Sequence, residues 1–264
     1  HSKLCRHATG DILEYAEAAV AKGFAEIGFS EHIPIPDLDD PTGRMKIEDF
    51  DTYLSDIEAA RKRFPQLKIK FGLEADYIPE HMPFIRSFVH AYPFDYVIGS
   101  VHFVDEWDFS NTSLVDTMKS YGVERLFTTY YTRVQQAAET GLYDIFGHLD
   151  LPKLIAEPPF DITPLIEMAL QAIRKRNMAL DINTSGWRKG LSSLYPDPEI
   201  IESAFKLGIP VVLGSDAHRP SDVGSDFAQA VDLLQSIGYR GSCSYSARTR
   251  TFVPFHQDDA DDGS

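Results

Sequence analysis

The sequence is poor in cysteine and has no long apolar segment. Its 264 residues include 2 cysteines, Cys5 and Cys243, which are too few for a disulfide framework. No apolar stretch approaches the roughly 18 to 20 residues that a membrane-spanning helix needs. Both absences favour a cytoplasmic protein without a membrane partner. The chain starts at His1 rather than at a methionine, so a signal peptide ahead of it stays an open alternative.

Basic residues are also scarce. The chain has 25 Lys plus Arg against 40 Asp plus Glu, and its formal net charge is -15. This charge repels polyphosphate backbones and argues against nucleic acid as a partner. Part of the negative charge lies at the end of the chain, where aspartates occur among small polar residues. No large apolar residue there could pack against a folded core. We therefore expect a single domain over residues 1–255 and an acidic disordered tail over residues 256–264.

Helical patterns alternate with short apolar runs along the chain. Seven segments have apolar residues at helical spacing, namely residues 10–23, 47–64, 83–92, 123–140, 162–175, 197–207 and 221–237. The runs between them are typical of buried strands in a parallel sheet with right-handed crossovers. We predict an α/β fold of seven helix–strand units, a (β/α)7 TIM-like barrel. Two long loops, residues 33–45 and 103–120, are expected to form the lid and the substrate pocket.

Five apolar runs end in residues that commonly bind metals. These residues are His32, Glu74, His102, His148, Asp216 and His218. Because the C-terminal ends of parallel strands meet at one face of a barrel, their side chains should converge there. His1 and His7 of the N-terminal segment complete the set. Imidazole nitrogen and carboxylate oxygen suit Zn, Mn or Fe, so we predict a metal centre at this face.

Other residues of the same types receive ordinary interpretations. A lone histidine is more often a packed or surface residue than a ligand, and we interpret His81, His90 and His256 in this way. Cys5 lies between two candidate ligands, but a free cysteine is usually a small buried hydrophobic residue. We leave Cys5 out of the predicted metal centre.

The motifs that carry these residues resemble a known family. They are His-Ser-Lys-Leu-Cys-Arg-His at 1–7, Gly-Leu-Glu-Ala-Asp-Tyr at 72–77, Gly-Ser-Val-His at 99–102, Gly-His-Leu-Asp at 147–150, Asp-Ile-Asn-Thr-Ser-Gly at 181–186 and Gly-Ser-Asp-Ala-His-Arg at 214–219. In this order they are similar to the polymerase and histidinol phosphatase (PHP) superfamily. Within it, they resemble the histidinol-phosphate phosphatases.

The resemblance implies a distorted seven-stranded barrel with a trinuclear metal centre that hydrolyses a phosphate monoester, L-histidinol phosphate. It assigns the first metal to His1, Glu74 and Asp216, the second to Glu74, His102 and His148, and the third to His7, His32 and His218. Glu74 would then bridge two metals. A metal-bridging hydroxide, held by Glu74, Asp216 and His218, would attack phosphorus. The sequence shows no Cys-x5-Arg or Ser-His-Asp arrangement, which agrees with a reaction that needs no side-chain nucleophile.

Two departures from the family pattern stand out. The family motif opens with His-x-His, and His1 matches the second of these histidines. Either the protein lacks the first one and its first metal has one ligand fewer, or the sequence is recorded short and the ligand set is complete. Glu31 stands where many members carry Asp before the histidine.

Substrate recognition requires cations for the phosphate. Arg188, Arg219 and Lys153 follow strand ends and are the candidates, since arginine offers a bidentate fork to phosphate. Histidinol carries an amine and an imidazole, so carboxylates should line the other end of the pocket. Asp76, Asp105 and Glu106 are candidates for that role.

Three alternative functions use related features. A PHP-type exonuclease or nucleotide phosphoesterase would use the same metals, but the acidity and the lack of a basic, aromatic stripe argue against it. A metal-dependent amidohydrolase would share the barrel, but usually shows a lysine or a single bridging carboxylate. A non-catalytic binding subunit would have lost several ligands. The sequence therefore favours a phosphatase that acts on a small phosphorylated metabolite.

Overall fold

The computed structural model describes residues 1–36, 38, 40, 43–105, 107–111 and 120–255. Glu106, His256 and the predicted acidic tail lie outside these residues. Eight α-helices occur in the described ranges: α1 Ile12–Ala21, α2 Phe50–Arg63, α3 Met82–Ala91, α4 Val123–Glu139, α5 Thr163–Lys175, α6 Ser185–Arg188, α7 Pro198–Lys206 and α8 Phe227–Ile237. Within these ranges, none of the helices combines the length and the apolar character needed to span a bilayer.

The helices alternate with the strands of a curled parallel sheet. The strands are β1 Glu26–His32, β2 Lys68–Asp76, β3 Tyr96–Ser100, β4 Phe103–Val104, β5 Trp107–Asp108, β6 Ile145–Phe146, β7 Ala179–Asn183, β8 Val211–Gly214, β9 Gly241–Ser246 and β10 Thr249–Pro254. Six of them form the parallel sheet in the order β1-β2-β3-β6-β7-β8. Six of the seven predicted helical segments contain an observed helix, and the seventh, 83–92, overlaps α3, which begins one residue earlier at Met82. Apolar residues of these helices pack in the hydrophobic core.

The predicted count of seven parallel strands is not confirmed in the described part of the chain. After α8, the chain forms an antiparallel hairpin of β9 and β10 instead of a further parallel strand. Ala247 and Arg248 at its turn both have positive φ, 46° and 64°, which is the backbone of a two-residue type I′ turn. The usual Asn-Gly or Asp-Gly sequence is missing at this turn, so the sequence pattern did not indicate a hairpin.

The hairpin lies at the end of the curled sheet where the parallel strands begin. Tyr245 packs in a cluster with Ile145 and Val212. The backbone N–H of Ala247 donates to Asp95 Oδ1 at 3.1 Å, just before β3. The hairpin therefore covers the N-terminal ends of the strands and leaves their C-terminal ends for the functional side chains.

The N-terminal segment, residues 1–10, connects the two edge strands of the sheet. The terminal amine of His1 donates to Ala217 O at 2.9 Å, and Thr9 N–H donates to His218 O at 2.9 Å, so the segment is bound to the end of β8. Ser2 N–H donates to Glu31 Oε1 of β1 at 2.5 Å. This segment places His1 between the two edges of the sheet, where it faces the strand ends.

Tyr96 packs inside the curled sheet, beneath the strand ends. Its hydroxyl donates to Phe29 O at 3.0 Å. Gly28 and Gly72 leave room for its ring, because a Cβ at either position would overlap the tyrosine. This packing fixes the spacing of β1, β2 and β3, which carry several of the functional residues.

We expect Gly28→Ala to lower the free energy of unfolding by about 1–3 kcal/mol, because the added methyl group overlaps the Tyr96 side chain. The nearest atom to this methyl group is the Tyr96 hydroxyl, and the ring atoms Cε1 and Cζ follow at 3.0 Å. In a Tyr96→Phe background, the same substitution should therefore cost less. Urea unfolding of the wild type, the two single variants and the double variant measures the cost of Gly28→Ala in both backgrounds. Equal costs in the two backgrounds would contradict the packing described.

Candidate metal centre

The structure brings together all eight predicted metal ligands. His32 ends β1, Glu74 lies in β2, and the remaining predicted ligands follow strands or lie in the N-terminal segment. The register of the sheet contributes directly, because His32 and Glu74 are paired residues of neighbouring strands. The strand ends thus gather imidazoles and carboxylates at one face, as the sequence predicts.

One oxygen of Glu74 faces the N-terminal segment. Glu74 Oε2 lies 3.1 Å from His1 Nε2 and 3.6 Å from His32 Nδ1. His1 Nε2 also lies 3.4 Å from Asp216 Oδ1, so two carboxylates share one imidazole. These contacts correspond to the first ligand group that the family resemblance implies, with His32 in addition.

The other oxygen of Glu74 faces a second pair of imidazoles. Glu74 Oε1 lies 3.1 Å from His148 Nε2 and 3.6 Å from His102 Nε2. Ser100 Oγ donates to the same oxygen at 2.6 Å. The carboxylate therefore divides four histidines into two groups, which suits a carboxylate that bridges two cations.

A third group lies at the outer side of the centre. His7 Nε2 and His218 Nε2 are 2.8 Å apart, and the His218 ring is 4.6 Å from the His1 ring between centroids. His32 completes a group with His1 and His218 whose ligand atoms all lie within 4.8 Å of one another. The structure thus places His32 between the first and third ligand groups.

The donor set fits divalent transition metals. His102 Nε2 and His148 Nε2 face each other at 3.2 Å, and ligand nitrogens of a tetrahedral zinc site are separated by about 3.3 Å. Two neutral imidazoles can each offer a lone pair here to a metal. His32 Nδ1, which faces Glu74, is buried without a hydrogen-bond partner among the described residues. Nitrogen and oxygen ligands of this kind suit Zn, Mn and Fe.

The protonation states agree with ligand roles for several residues. Burial disfavours the charge of Glu74, yet the imidazoles of His32, His1 and His148 hold its pKa well below the usual value. Burial lowers the pKa of His32 well below its usual value. Burial also lowers the pKa of His218 to about 4, although Asp216 opposes this shift. A charged carboxylate and neutral imidazoles are the forms that bind metals.

Two other histidines bind protons more tightly. Burial lowers the pKa of His102, but the charge and the hydrogen bond of Asp76 exceed this effect and raise it to about 9. Burial opposes a positive charge on His1 as well, but its hydrogen bonds to Asp216 and Glu74 raise its pKa well above the usual value. Because a metal competes with these protons, metal binding should release protons and weaken as the pH falls.

A cleft of about 800 Å³ opens onto the predicted metal ligands. Arg188 and Arg219, two of the three predicted phosphate ligands, both line it. The Arg219 side chain is exposed and makes no hydrogen bond or ion pair with the described part of the chain. Arg188 donates to Ser215 O and lies 3.5 Å from Asp226, so part of its guanidinium is occupied. Of the two, Arg219 is the freer group for an anionic substrate.

The third predicted phosphate ligand lies elsewhere. Lys153 Nζ donates to Asp197 Oδ1 at 2.7 Å and to Leu194 O at 2.6 Å, and it lies 2.8 Å from Asp150 Oδ2. Lys153 is not among the residues that line the cleft. The structure therefore shows its ammonium group engaged in holding loops together.

Two of the acids predicted to bind the cationic end of histidinol are not free carboxylates of the cleft. Asp76 is fully buried, with one oxygen bound by Arg44 and the other by His102. Asp105 lies 2.8 Å from Arg125 and does not line the cleft. Asp108, which the sequence interpretation missed, does line it.

The sequence interpretation also missed other polar side chains of the cleft, because no motif distinguishes them from surface polar residues. They are Arg44, Asp40, Ser185, Lys189 and Asp222, which all line the cleft. Ser185 Oγ donates to Asp216 Oδ2 at 3.1 Å, and Lys189 Nζ lies 3.5 Å from the same oxygen. Burial disfavours the charge of Asp216, but Lys189, followed by His1 and His218, holds its pKa well below the usual value.

Comparison with known proteins places these features in context. The PHP domain family model matches residues 1–185. A Deinococcus radiodurans protein named "Probable histidinol-phosphatase" is 40% identical over 242 residues, which are 91% of this chain and 92% of the relative. The histidinol-phosphatase of Bacillus subtilis is 34% identical over 250 residues, 85% of this chain and 93% of the relative.

A solved structure shares the fold. The crystal structure of histidinol phosphate phosphatase from Lactococcus lactis, complexed with Zn, L-histidinol and phosphate, superimposes with a TM-score of 0.80. The alignment covers 95% of this chain and 96% of that protein, at 22% identity. The two chains therefore have the same overall architecture despite low sequence identity.

A buried acid beneath the centre provides a test of its electrostatics. Asp181 lines a cavity of about 230 Å³ that also borders the predicted ligands His1, Glu74 and Asp216. Burial raises the pKa of Asp181 to about 7, the Asn183 amide opposes this shift, and the charges of Asp216 and Glu74 add to it. An aspartate in an unfolded chain has a pKa of about 3.9. Asp181 is therefore protonated in the folded protein at a pH where the unfolded chain is ionised.

We expect Asp181→Asn to stabilise the metal-free protein more at pH 7.5 than at pH 4.5. The raised pKa contributes stability that is present below about pH 4 and is lost as the pH rises to about 7, and asparagine cannot ionise. The difference in free energy of unfolding between the variant and the wild type should grow by at most about 4 kcal/mol as the pH rises from about 4 to about 7. Urea unfolding at a series of pH values measures it.

The zinc-loaded protein is the control for this measurement. Cations near Glu74 and Asp216 favour the ionised form of Asp181, so the pH dependence of the difference should shrink. A difference between variant and wild type that stays constant from pH 4.5 to pH 7.5 in the metal-free protein would rule out the raised pKa.

Proposed function

Because the chain belongs to the PHP domain family, we propose that it is a metal-dependent histidinol-phosphatase that hydrolyses L-histidinol phosphate to L-histidinol and phosphate. This reaction is a step of histidine biosynthesis. The carrying observation is the Glu74 carboxylate at the floor of the cleft, whose two oxygens face separate pairs of imidazoles. A cytoplasmic location remains a prediction from the sequence.

We further propose that the centre binds two to three divalent cations at the C-terminal ends of the barrel strands. Its ligands would be His1, His7, His32, Glu74, His102, His148, Asp216 and His218. The donor set supports Zn, Mn or Fe, and the Lactococcus lactis structure contains Zn. Bound cations would lower the pKa of a coordinated water and neutralise phosphoryl oxygens.

The residues of the chain supply positioning and charge for this reaction. Glu74, Asp216 and His218 are our candidates for orienting the attacking water. Arg219, with the free part of Arg188, would orient the phosphate through charge-assisted hydrogen bonds. Cys5 does not line the cleft. The placement of Glu74, Asp216 and His218 in the cleft, with Cys5 outside its lining, favours direct attack of water on phosphorus.

The cationic end of the substrate needs an acid that is not already paired. Asp40 is occupied by Arg44 at 2.7 Å, and Asp222 lies 4.0 Å from Arg188. Asp108 accepts hydrogen bonds only from Ser110 among the described residues. We therefore propose Asp108 as the carboxylate that binds the amine or imidazole of histidinol.

The direct test of the proposed function is phosphate release from L-histidinol phosphate, compared with release from sugar phosphates, nucleotides and an aryl phosphate. We expect a catalytic efficiency for L-histidinol phosphate at least tenfold above that for every other ester. Comparable or higher efficiency on nucleotides would favour the alternative of a nucleotide phosphoesterase.

We expect Glu74→Gln to abolish activity and to lower bound metal more than His32→Ala does. Glu74 contacts two groups of ligands, whereas His32 supplies one nitrogen, so removal of the bridging charge should weaken two metal sites. Elemental analysis after metal-replete purification measures the content. His90→Ala, at an exposed helical position, is the control and should keep the full content. Equal metal retention in the Glu74 and His32 variants would contradict the bridging role.

We expect Arg219→Ala to reduce catalytic efficiency by about ten- to a hundredfold on every phosphate monoester. A hydrogen bond to a charged group contributes about 1.5 to 3 kcal/mol, and each 1.4 kcal/mol is a factor of about ten. Asp108→Asn should instead reduce efficiency on L-histidinol phosphate and leave an aryl phosphate unchanged. Steady-state kinetics of both variants on both substrates separates the two roles.

Arg174→Ala, an exposed arginine on α5, is the control for loss of a positive charge. Metal content should stay the same in all three variants, because none of these residues is a proposed ligand. Wild-type efficiency of the Arg219 variant on both substrates would remove Arg219 from the site.

A further inference from the structure

Arg44 is a buried arginine in the loop that follows β1. Its side chain is 6% exposed. Its Nε donates to Asp40 Oδ2 at 2.7 Å, and its Nη1 donates to Asp76 Oδ2 at 3.1 Å and to Ile33 O at 3.2 Å. A buried guanidinium is costly unless it is paired in this way. The surroundings of Arg44 therefore hold its position tightly.

Asp76 connects this arginine to a proposed metal ligand. Its Oδ1 accepts hydrogen bonds from His102 Nδ1 at 2.7 Å and from the His102 backbone N–H at 3.3 Å. With Nδ1 as the donor, His102 Nε2 keeps its lone pair and faces Glu74 and His148. A carboxylate that accepts from the outer nitrogen of a histidine commonly fixes the ring of a metal ligand.

Arg44 contacts the residues that directly follow two proposed metal ligands, His32 and His102. Ile33, whose carbonyl it binds, directly follows His32. Phe103, whose ring centroid lies 5.5 Å from the guanidinium carbon, directly follows His102. Arg44 therefore contacts the residues that succeed the ligands of two different strands.

We propose that Arg44 and Asp76 are positioning residues that hold His102 with Nε2 directed at the metal. The affinity of the site formed by Glu74, His102 and His148 then depends on the contact between Arg44 and Asp76. The inference rests on the metal centre of the proposed function, and it adds a role for the loop after β1. Neither residue is a metal ligand or a catalytic residue in this account.

The chain contains a matched pair at the opposite end of the barrel. Arg61 donates through Nε to Ile69 O at 3.0 Å and through Nη2 to Asp95 Oδ2 at 3.3 Å. Arg61 thus binds a backbone carbonyl and a carboxylate, as Arg44 does, but its side chain is 38% exposed and its partners lie at the starts of β2 and β3, away from the proposed metal ligands. Arg61→Met and Asp95→Asn are therefore controls for the loss of a structural arginine–carboxylate pair.

The experiment titrates metal-free protein with Zn²⁺ in competition with a chromophoric chelator. We expect Asp76→Asn and Arg44→Met to weaken one class of zinc site by about 10- to 100-fold and to leave the remaining sites unchanged. Arg44→Lys should recover part of the affinity, because it keeps the charge but not the fork. Both control variants should keep wild-type zinc affinities, even where urea unfolding shows reduced stability.

The readouts distinguish the competing roles. Unchanged zinc affinities in the Arg44 and Asp76 variants, with weaker binding of inorganic phosphate in Arg44→Met, would make Arg44 a phosphate ligand and overturn the inference. Equal weakening of all zinc sites, matched by the control variants, would make the pair merely structural and also overturn it. Absence of zinc binding by the wild-type protein would refute the proposed metal centre itself, which is a separate result.

Discussion

The organisation of the site depends on one buried carboxylate, that of Glu74. A charge that is 5% exposed in a protein interior requires close partners on both oxygens. Oε2 faces His1 and His32, and Oε1 faces His102 and His148. This division of partners suits the proposed role of Glu74 as a bridge between two cations. The second carboxylate, Asp216, lies across His1 and extends the arrangement towards His218.

The fold brings these partners to the carboxylate from separate parts of the chain. The C-terminal ends of parallel strands supply most of them, the N-terminal segment supplies His1 and His7, and Tyr96 fixes the spacing of the strands below. Around the ligands lies a further set of contacts. Asp76 and Arg44 hold His102, while Ser185 and Lys189 contact Asp216. The proposed metal ligands are therefore oriented by residues outside the proposed ligand set.

Much of this could be predicted from sequence because it depends on local patterns. Apolar periodicity located the helices and strands, and strand-terminal His32, Glu74 and His148 identified the face of the site. Contacts between distant segments could not be predicted in this way. The sequence alone does not separate Arg44 from a surface arginine or Lys153 from a phosphate ligand, since each also pairs with an acid far along the chain, Asp76 and Asp197 respectively. The final hairpin was missed because Ala247 and Arg248 adopt positive φ without the usual turn residues.

Anomalous diffraction from crystals of the zinc-loaded protein tests the bridging role of Glu74 most directly. We predict one metal peak between Glu74 Oε1 and the pair His102 and His148, and a second between Oε2 and His1, with metal–ligand distances of about 2.0 to 2.2 Å. A single peak that contacts only one oxygen of Glu74, or zinc bound elsewhere with this carboxylate unliganded, would contradict the account.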